Sequence, residues 1–135
     1  MLSDASRNVE LVRRAFARWN AGDHEAPLDE IHPDAEVRTV IGGAFSGEPF
    51  RGHEGVREWL IGLDENFDRW EIAIGRILEH GDVVVLLGDI RARGRGSGVE
   101  LDQAVGWMIR FRDGKFWRMQ TFFTHEEALA AGGLS

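Results

Sequence analysis

The sequence predicts an α+β domain in which helices pack across the concave face of a long, curved, mixed or antiparallel sheet. The helical patterns come early in the chain and four strand patterns follow one another, so helices and strands segregate rather than alternate. The pair Asp113-Gly114 separates two aromatic-rich apolar runs, which is typical of a tight β-hairpin. Such a fold leaves a cone-shaped hollow between sheet and helices, where ligands commonly bind.

The composition favours one domain over residues 1–135 and excludes several classes of function. With 43% hydrophobic and 29% charged residues, the chain is expected to fold into a globular core. It has no cysteine, which excludes a disulfide scaffold and cysteine-ligated metal, and no tyrosine, which excludes a phenol mechanism. The net charge of −7 argues against nucleic-acid binding. No membrane helix or signal peptide is predicted, so we expect a cytoplasmic protein.

Two amphipathic helices flank the first predicted strand. The first is expected from about Asp4 to Ala21, because Gly22 is typical of a helix C-terminus. The second is expected from about His53 to Phe67. Their apolar residues recur at the spacing of one helix face: Val9, Val12, Phe16 and Trp19 in the first, and Val56, Trp59, Leu60, Leu63 and Phe67 in the second.

Strand patterns account for most of the remainder, and a last short helix is expected at His125–Ala131. Before the hairpin, strands are predicted at Ala35–Ile41, Trp70–Glu79 and Asp82–Ala92. The loop at 42–52 contains four glycines together with Phe45 and Phe50. These two rings either tuck under the loop or close over a pocket.

Large side chains occupy both faces of the last strand. Alternation groups Trp117, Met119, Thr121 and Phe123 on one face, and Phe116, Arg118, Gln120 and Phe122 on the other. A sheet with one face in water would not carry large residues on both. We therefore expect one face to line a cavity and the other to pack on a helix or a second subunit. Phe116 and Phe122 predict a homodimer through the outer face of the sheet.

Several motifs resemble SnoaL-like, polyketide-cyclase-like members of the nuclear-transport-factor-2-like superfamily. They include Trp19-Asn-Ala-Gly-Asp23, His32-Pro-Asp-Ala-Glu-Val37, Phe50-Arg-Gly-His-Glu-Gly-Val-Arg-Glu-Trp59 and Arg112-Asp-Gly-Lys115. The resemblance covers nearly the whole chain and implies a cone-like α+β barrel, usually dimeric through the outer sheet face. It says little about activity, because one superfamily hosts several chemistries and also non-enzymes.

The residues that do chemistry in such families have no titratable counterpart here. The resemblance places the acidic residue of polyketide cyclases and of limonene-epoxide hydrolases at Thr121, and the cyclase histidine at Trp107. It places the first-strand aspartate of ketosteroid isomerases at Thr39 and their oxyanion-side aspartate at Trp107. Threonine and tryptophan cannot act as general bases near neutral pH.

A pocket is still predicted in the hollow. The predicted lining residues include two threonines, several tryptophans and a methionine, which suit a flat, mostly apolar ligand with one or two polar atoms. Alternatively, these side chains fill the cone as core. Gln103 is on the inward side but cannot act as a base. The predicted lining residues are Phe16, Trp19, Val37, Thr39, Trp59, Leu63, Gln103, Trp107, Met119, Thr121 and Phe123.

Asp89 and Arg91 are the remaining candidates for catalysis. An acid–arginine pair could activate water, although an exposed ion pair is the simpler interpretation of these residues. No cofactor is predicted, and no metal, because the five histidines lack the paired spacing of a metal site.

Two functions stay open from the sequence. One is a small-molecule-binding protein with weak cyclase, isomerase or hydrolase activity toward a ring-containing ketone, lactone or epoxide. The other is a non-catalytic binding or dimerisation module, whose cone is filled or holds a ligand without converting it.

Overall fold

A computed structural model describes residues 4–39 and 48–134 and confirms the α+β class. A short 3-10 turn at Leu28–Glu30 precedes the first strand. The helices are α1 (Asp4–Asn20), α2 (Gly52–Asn66) and α3 (His125–Ala131). The strands are β1 (Ile31–Arg38), β2 (Phe50–Arg51), β3 (Phe67–His80), β4 (Val83–Gly94), β5 (Glu100–Arg112) and β6 (Lys115–Phe122).

The six strands form one curved sheet in the order β2-β1-β6-β5-β4-β3. Every neighbouring pair is antiparallel except β1 and β6, which run parallel, so the sheet is mixed. β1 begins at Ile31, earlier than the predicted Ala35, although a proline lies within it. Pro33 is tolerated because it falls between Ile31 and Glu36, where the register against β6 shifts. The predicted strand end at Ile41 lies outside the described residues.

Phe50 packs on the core. It lies in β2, half-buried, against a cluster formed by Ile31, Ala35, Val37 and Val56. It does not line the cavity described below. Phe45 lies outside the part of the chain that the structure describes.

The hairpin turn has the predicted geometry. Asp113 and Gly114 have φ values of 55° and 72°, and Arg112 pairs with Lys115 across them. A register shift follows at once: Phe111 pairs with Phe116, but Arg110 pairs with Arg118, which leaves Trp117 as the extra residue of a β-bulge.

This bulge reassigns the faces of β6. Before it, Phe116 is on the core side, with its ring centroid 5.1 Å from that of Phe111. After it, Met119 and Thr121 pair with Ile109 and Trp107 and share their face. The strict alternation predicted for β6 is therefore wrong at Phe116 and Trp117, because a bulge leaves no signal in the apolar pattern.

The main core lies between α1 and the concave face of the sheet. Val12 and Phe16 of α1 pack with strand residues that are almost completely buried, and these include Leu86, Ile90, Trp107 and Ile109. The rings of Phe16 and Trp107 meet edge to face, with centroids 5.4 Å apart. None of the helices in the described ranges is long and apolar enough to span a membrane.

Helix α3 covers the opposite, outer face of β4 and β5. Ala128 packs there with Val85, Leu87 and Met108, and half-buried Phe122 joins this cluster. Phe122 is thus used within the protomer, as is Phe116 on the core side. The homodimer prediction depended on Phe116 and Phe122 as an apolar surface on the outer face of the sheet. Because both rings pack within the protomer, neither is left over to form that surface.

Candidate functional site

A cavity of about 140 Å³ lies between the concave face of the sheet, α1 and α2. This volume is roughly ten times the smallest space that holds a water molecule. The walls come from both ends of the chain, because the parallel pairing of β1 with β6 brings the first strand beside the last. The hollow expected from the sequence is therefore partly open rather than completely filled by core side chains.

Nine of the eleven predicted lining residues surround this cavity: Phe16, Trp19, Val37, Thr39, Trp59, Leu63, Trp107, Met119 and Thr121. Gln103 does not line it, because it lies near the start of β5, paired with Ile90. Phe123 does not line it either. It follows the end of β6, outside the alternation of the strand, and is 43% exposed.

Sequence reasoning missed two groups of lining residues. Trp70 and Ile72 contribute wall from β3, where the apolar side chains could not be assigned to a cavity without the sheet order. Asp23 and Glu25 contribute from the segment after α1, which has no periodic pattern to follow. Val56 and Leu60 were visible in the apolar stripe of α2 but were not predicted to line the pocket.

The buried wall is almost entirely apolar. Among the described residues, only Asn8 and Thr121 are buried and polar, and Asn8 does not line the cavity. Thr121 is opposite Trp107 on the neighbouring strand, and each is 3% exposed. Thr39 adds a second hydroxyl just beyond the end of β1. Neither hydroxyl can serve as a general base without a titratable neighbour.

No described carboxylate or imidazole is buried in this wall. The segment 40–47, Val-Ile-Gly-Gly-Ala-Phe-Ser-Gly, contains no ionisable side chain in its sequence. The buried part of the described wall therefore offers hydrogen bonds and π surface to a ligand but no acid or base, and the carboxylates that line the cavity are exposed or half-buried.

Trp19 is held from both sides. Its indole Nε1 donates to the carbonyl oxygen of Trp70 at 2.7 Å, and its ring stacks on His24 with centroids 3.9 Å apart. His24 Nδ1 lies 2.6 Å from an Asp64 carboxylate oxygen, and Nε2 lies 3.1 Å from the Trp19 carbonyl oxygen. These contacts tie the segment after α1 to α2.

The charged lining residues are exposed or half-buried, and the cations among them are paired. Arg18 binds Glu30 at 2.9 Å. Arg118 pairs with Glu36, which also accepts from Arg51 at 3.0 Å. Asp23 and Glu25 also line the cavity, and within residues 4–39 and 48–134 neither carboxylate forms an ion pair.

The predicted catalytic pair lies away from the cavity. Asp89 and Arg91 alternate along β4 with buried Ile90 and Ala92, so their side chains are on the outer face of the sheet. Both are exposed, and neither lines the cavity. They cannot reach a ligand held on the concave side. No group of three potential metal-ligating side chains occurs in the described ranges.

The chain is similar to several solved structures over nearly its full length. TerC, co-crystallized with polyporic acid, shares 26% identity and has a TM-score of 0.75, covering 96% of this chain and 99% of its own. A putative SnoaL-like polyketide cyclase from Jannaschia sp. CCS1 shares 21% identity with a TM-score of 0.78, covering 100% and 97%. An NTF2-like protein of unknown function from Burkholderia pseudomallei K96243 shares 20% with a TM-score of 0.77, covering 97% and 98%.

The proteins from Jannaschia and Burkholderia are 21% and 20% identical to this chain, so the similarity to them shows a shared fold alone. No curated protein matches the sequence. The family model of the SnoaL-like domain matches residues 12–119, which is most of the chain. The chain therefore belongs to the SnoaL-like domain family.

Proposed function

We propose that the protein binds a small ring-containing molecule in the cavity and does so without acid–base chemistry of its own. The observation that carries this proposal is the make-up of the wall: indoles and aliphatic side chains with Thr121 as its one buried polar residue in the described part. Apolar cavities with a few fixed polar groups are typical ligand sites. Thr39 and Thr121 are the hydroxyl-bearing residues of this wall.

One relative supports a ring-containing ligand. TerC, whose fold matches over 96% of this chain, was crystallized with polyporic acid. Burial of the apolar surface of a ligand favours binding by about 25 cal/mol per Å², which amounts to a few kcal/mol for a molecule with one ring. Loss of translational and rotational freedom opposes it by a similar or larger amount. We therefore expect modest affinities for simple ring compounds, with the polar contacts deciding between them.

A weakly catalytic protein is the second candidate, retained from the sequence because the family hosts cyclases and hydrolases. General acid–base catalysis needs a titratable side chain within hydrogen-bond reach of the reacting atom. Asp89 and Arg91 lie on the other face of the sheet, and the described wall contains no buried carboxylate or imidazole. The geometry therefore favours binding over turnover.

Filling the cavity tests the binding proposal. Ala35 is a buried lining residue of β1, so Ala35→Phe places a ring in the space that a ligand would take. We expect isothermal calorimetry with 1-tetralone to show binding to the wild type and its loss in this variant. The matched control is Ala104→Phe, at an exposed position of β5 away from the cavity, which should bind as the wild type does.

Two outcomes would contradict the proposal. One is a wild type that binds neither 1-tetralone nor any compound of a panel of ring ketones, lactones and epoxides. The other is equal binding by wild type and Ala35→Phe, which would put the ligand elsewhere. Thermal melts of both variants establish that each is folded at the temperature of the titration.

Three further expectations stay predictions. A homodimer through the outer sheet face now rests on the family resemblance, because Phe116 and Phe122 pack within the protomer. A cytoplasmic location and a single domain over residues 1–135 rest on the sequence patterns alone.

A further inference from the structure

The cavity combines aromatic walls with unpaired negative charge, and this combination defines a class of ligand. We propose that the ligand is a hydrophobic cation, namely a protonated or quaternary amine attached to a ring. The proposal rests on the proposed function, since it names the ligand class of the same cavity. Its two supports are the π surface of the wall and the balance of charge among the residues that line it.

All five tryptophans contribute to the wall, each from a separate element: Trp19 of α1, Trp59 of α2, Trp70 of β3, Trp107 of β5 and Trp117 of β6. The indole N–H of Trp19 is already bound to the Trp70 carbonyl oxygen and one face of the ring is covered by His24, so Trp19 can offer a ligand only its other face. An indole face attracts cations more strongly than any other aromatic side chain, and the attraction grows when the cation is desolvated.

The arginines that line the cavity already have carboxylate partners. Arg18 is paired with Glu30, and Arg118 with Glu36. Neither is therefore available as an unpaired cation that would favour a carboxylate or phosphate ligand.

Asp23 and Glu25 are left with negative charge that no described cation balances. Both line the cavity and both are exposed, so their carboxylates are on the solvent-facing side of the cavity. Asp23 Oδ1 accepts the backbone N–H of Glu25 at 3.3 Å, which holds the two residues close together. A cation in the cavity would meet π surface on its apolar sides and carboxylates on the solvent-facing side.

A pair of isosteres separates charge from shape. Phenyltrimethylammonium and tert-butylbenzene have the same outline and differ only in a nitrogen cation in place of a carbon. We expect tryptophan fluorescence titrations of the full chain to show about tenfold tighter binding of the cation. Benzoate, an anion with the same ring, should bind more weakly than either.

The carboxylates are tested by removing their charge. The double variant Asp23→Asn, Glu25→Gln should weaken phenyltrimethylammonium about threefold to tenfold and leave tert-butylbenzene unchanged. Asparagine keeps the oxygen that accepts the Glu25 N–H, so the segment can retain its shape. The control is Asp102→Asn, Glu126→Gln, which alters net charge equally at exposed positions outside the cavity lining and should leave both affinities unchanged.

The outcomes distinguish this inference from the proposed function. If tert-butylbenzene or benzoate binds as tightly as the cation, the ligand class is wrong and binding of a ring in the cavity still stands. The same holds if both double variants weaken the cation equally, because net charge alone would then explain the preference. If none of the three probes binds, and 1-tetralone does not bind either, both proposals fail.

Discussion

At the scale of single residues, Thr121 and Trp107 determine what the cavity can do. They are paired across β5 and β6, and both are buried in the wall. The resemblance drawn from the sequence places acids or bases of the catalytic families at these two positions. A hydroxyl and an indole can donate hydrogen bonds to a ligand, but neither abstracts a proton near neutral pH. The cavity is therefore equipped for recognition.

Installing a carboxylate tests whether the base alone is lacking. In Thr121→Asp, burial in an apolar wall should raise the pKa of the new carboxyl and destabilise the fold by about 1–3 kcal/mol. At a pH above that pKa, we expect the variant to speed deuterium exchange at the α-carbon of 2-tetralone, followed by proton NMR. Gln120→Asp, one residue earlier and facing out of the sheet, should not speed it.

Exchange no faster in Thr121→Asp than in Gln120→Asp, with both variants folded, would show that Thr121 does not face bound ketone. Exchange by the wild type above the rate of Gln120→Asp would show that the cavity already contains a base.

Most of the predicted lining residues do line the cavity, because helical spacing and strand alternation decide which side chains face inward. Phe16 and Trp19 follow from the stripe of α1, and Trp107 from the alternation of β5. The sequence could not show that Asp89 and Arg91 lie away from the cavity. An acid close to an arginine suggested catalysis, but only the sheet order and the position of the helices reveal which face of β4 meets the cavity.

At the scale of elements, the bulge in β6 matters most. Without the extra residue Trp117, the two-residue turn would place Gln120 rather than Thr121 opposite Trp107. The turn could be predicted from Asp113-Gly114, since few other pairs favour positive φ at both positions. The bulge could not be predicted, because a single inserted residue leaves the sequence with what looks like continued alternation of apolar residues. The guanidinium groups of Arg112 and Arg118 lie 5.3 and 4.6 Å from the ring centroid of Trp117.

The docking of α3 on the sheet depends on one glycine. A Cβ at Gly106 would lie 2.4 Å from the Cβ of Ala128, so the helix can approach β5 only because Gly106 has no side chain. Gly106→Ala should lower the free energy of unfolding by about 1–3 kcal/mol, because the close contact must be relieved by moving the helix. Urea denaturation followed by circular dichroism measures this change.

Gly62→Ala provides the matched control for that substitution. Gly62 lies within α2, and a Cβ there meets no atom within 4 Å. Alanine should therefore raise the free energy of unfolding by about 0.5–1 kcal/mol through helix propensity. If Gly106→Ala and Gly62→Ala changed the free energy of unfolding by the same amount and with the same sign, the close packing of α3 on the sheet would be refuted.

At the scale of the whole molecule, positive charge on the outer face of the sheet should oppose self-association through that face at low salt. Beside α3 it carries exposed Arg38, Arg110 and Arg118, and a two-fold axis there would bring like charges together. A homodimer through this face should therefore strengthen from about 20 mM to about 500 mM NaCl, as the repulsion is screened. Sedimentation velocity at micromolar protein measures this dependence.

A monomer at both salt concentrations would overturn the predicted dimer. A dimer that weakens as salt increases would place the interface on another surface, where opposite charges meet.

The central claim is that ring-containing ligands bind between the sheet, α1 and α2, against the tryptophans of the wall. Two-dimensional ¹H–¹⁵N NMR of the indole N–H groups tests it most directly, because the chain has five tryptophans and each gives one signal. On titration with phenyltrimethylammonium or 1-tetralone, we predict saturable shifts of Trp59, Trp70 and Trp107, and their loss in Ala35→Phe. Unchanged signals from all three tryptophans at saturating ligand would contradict it.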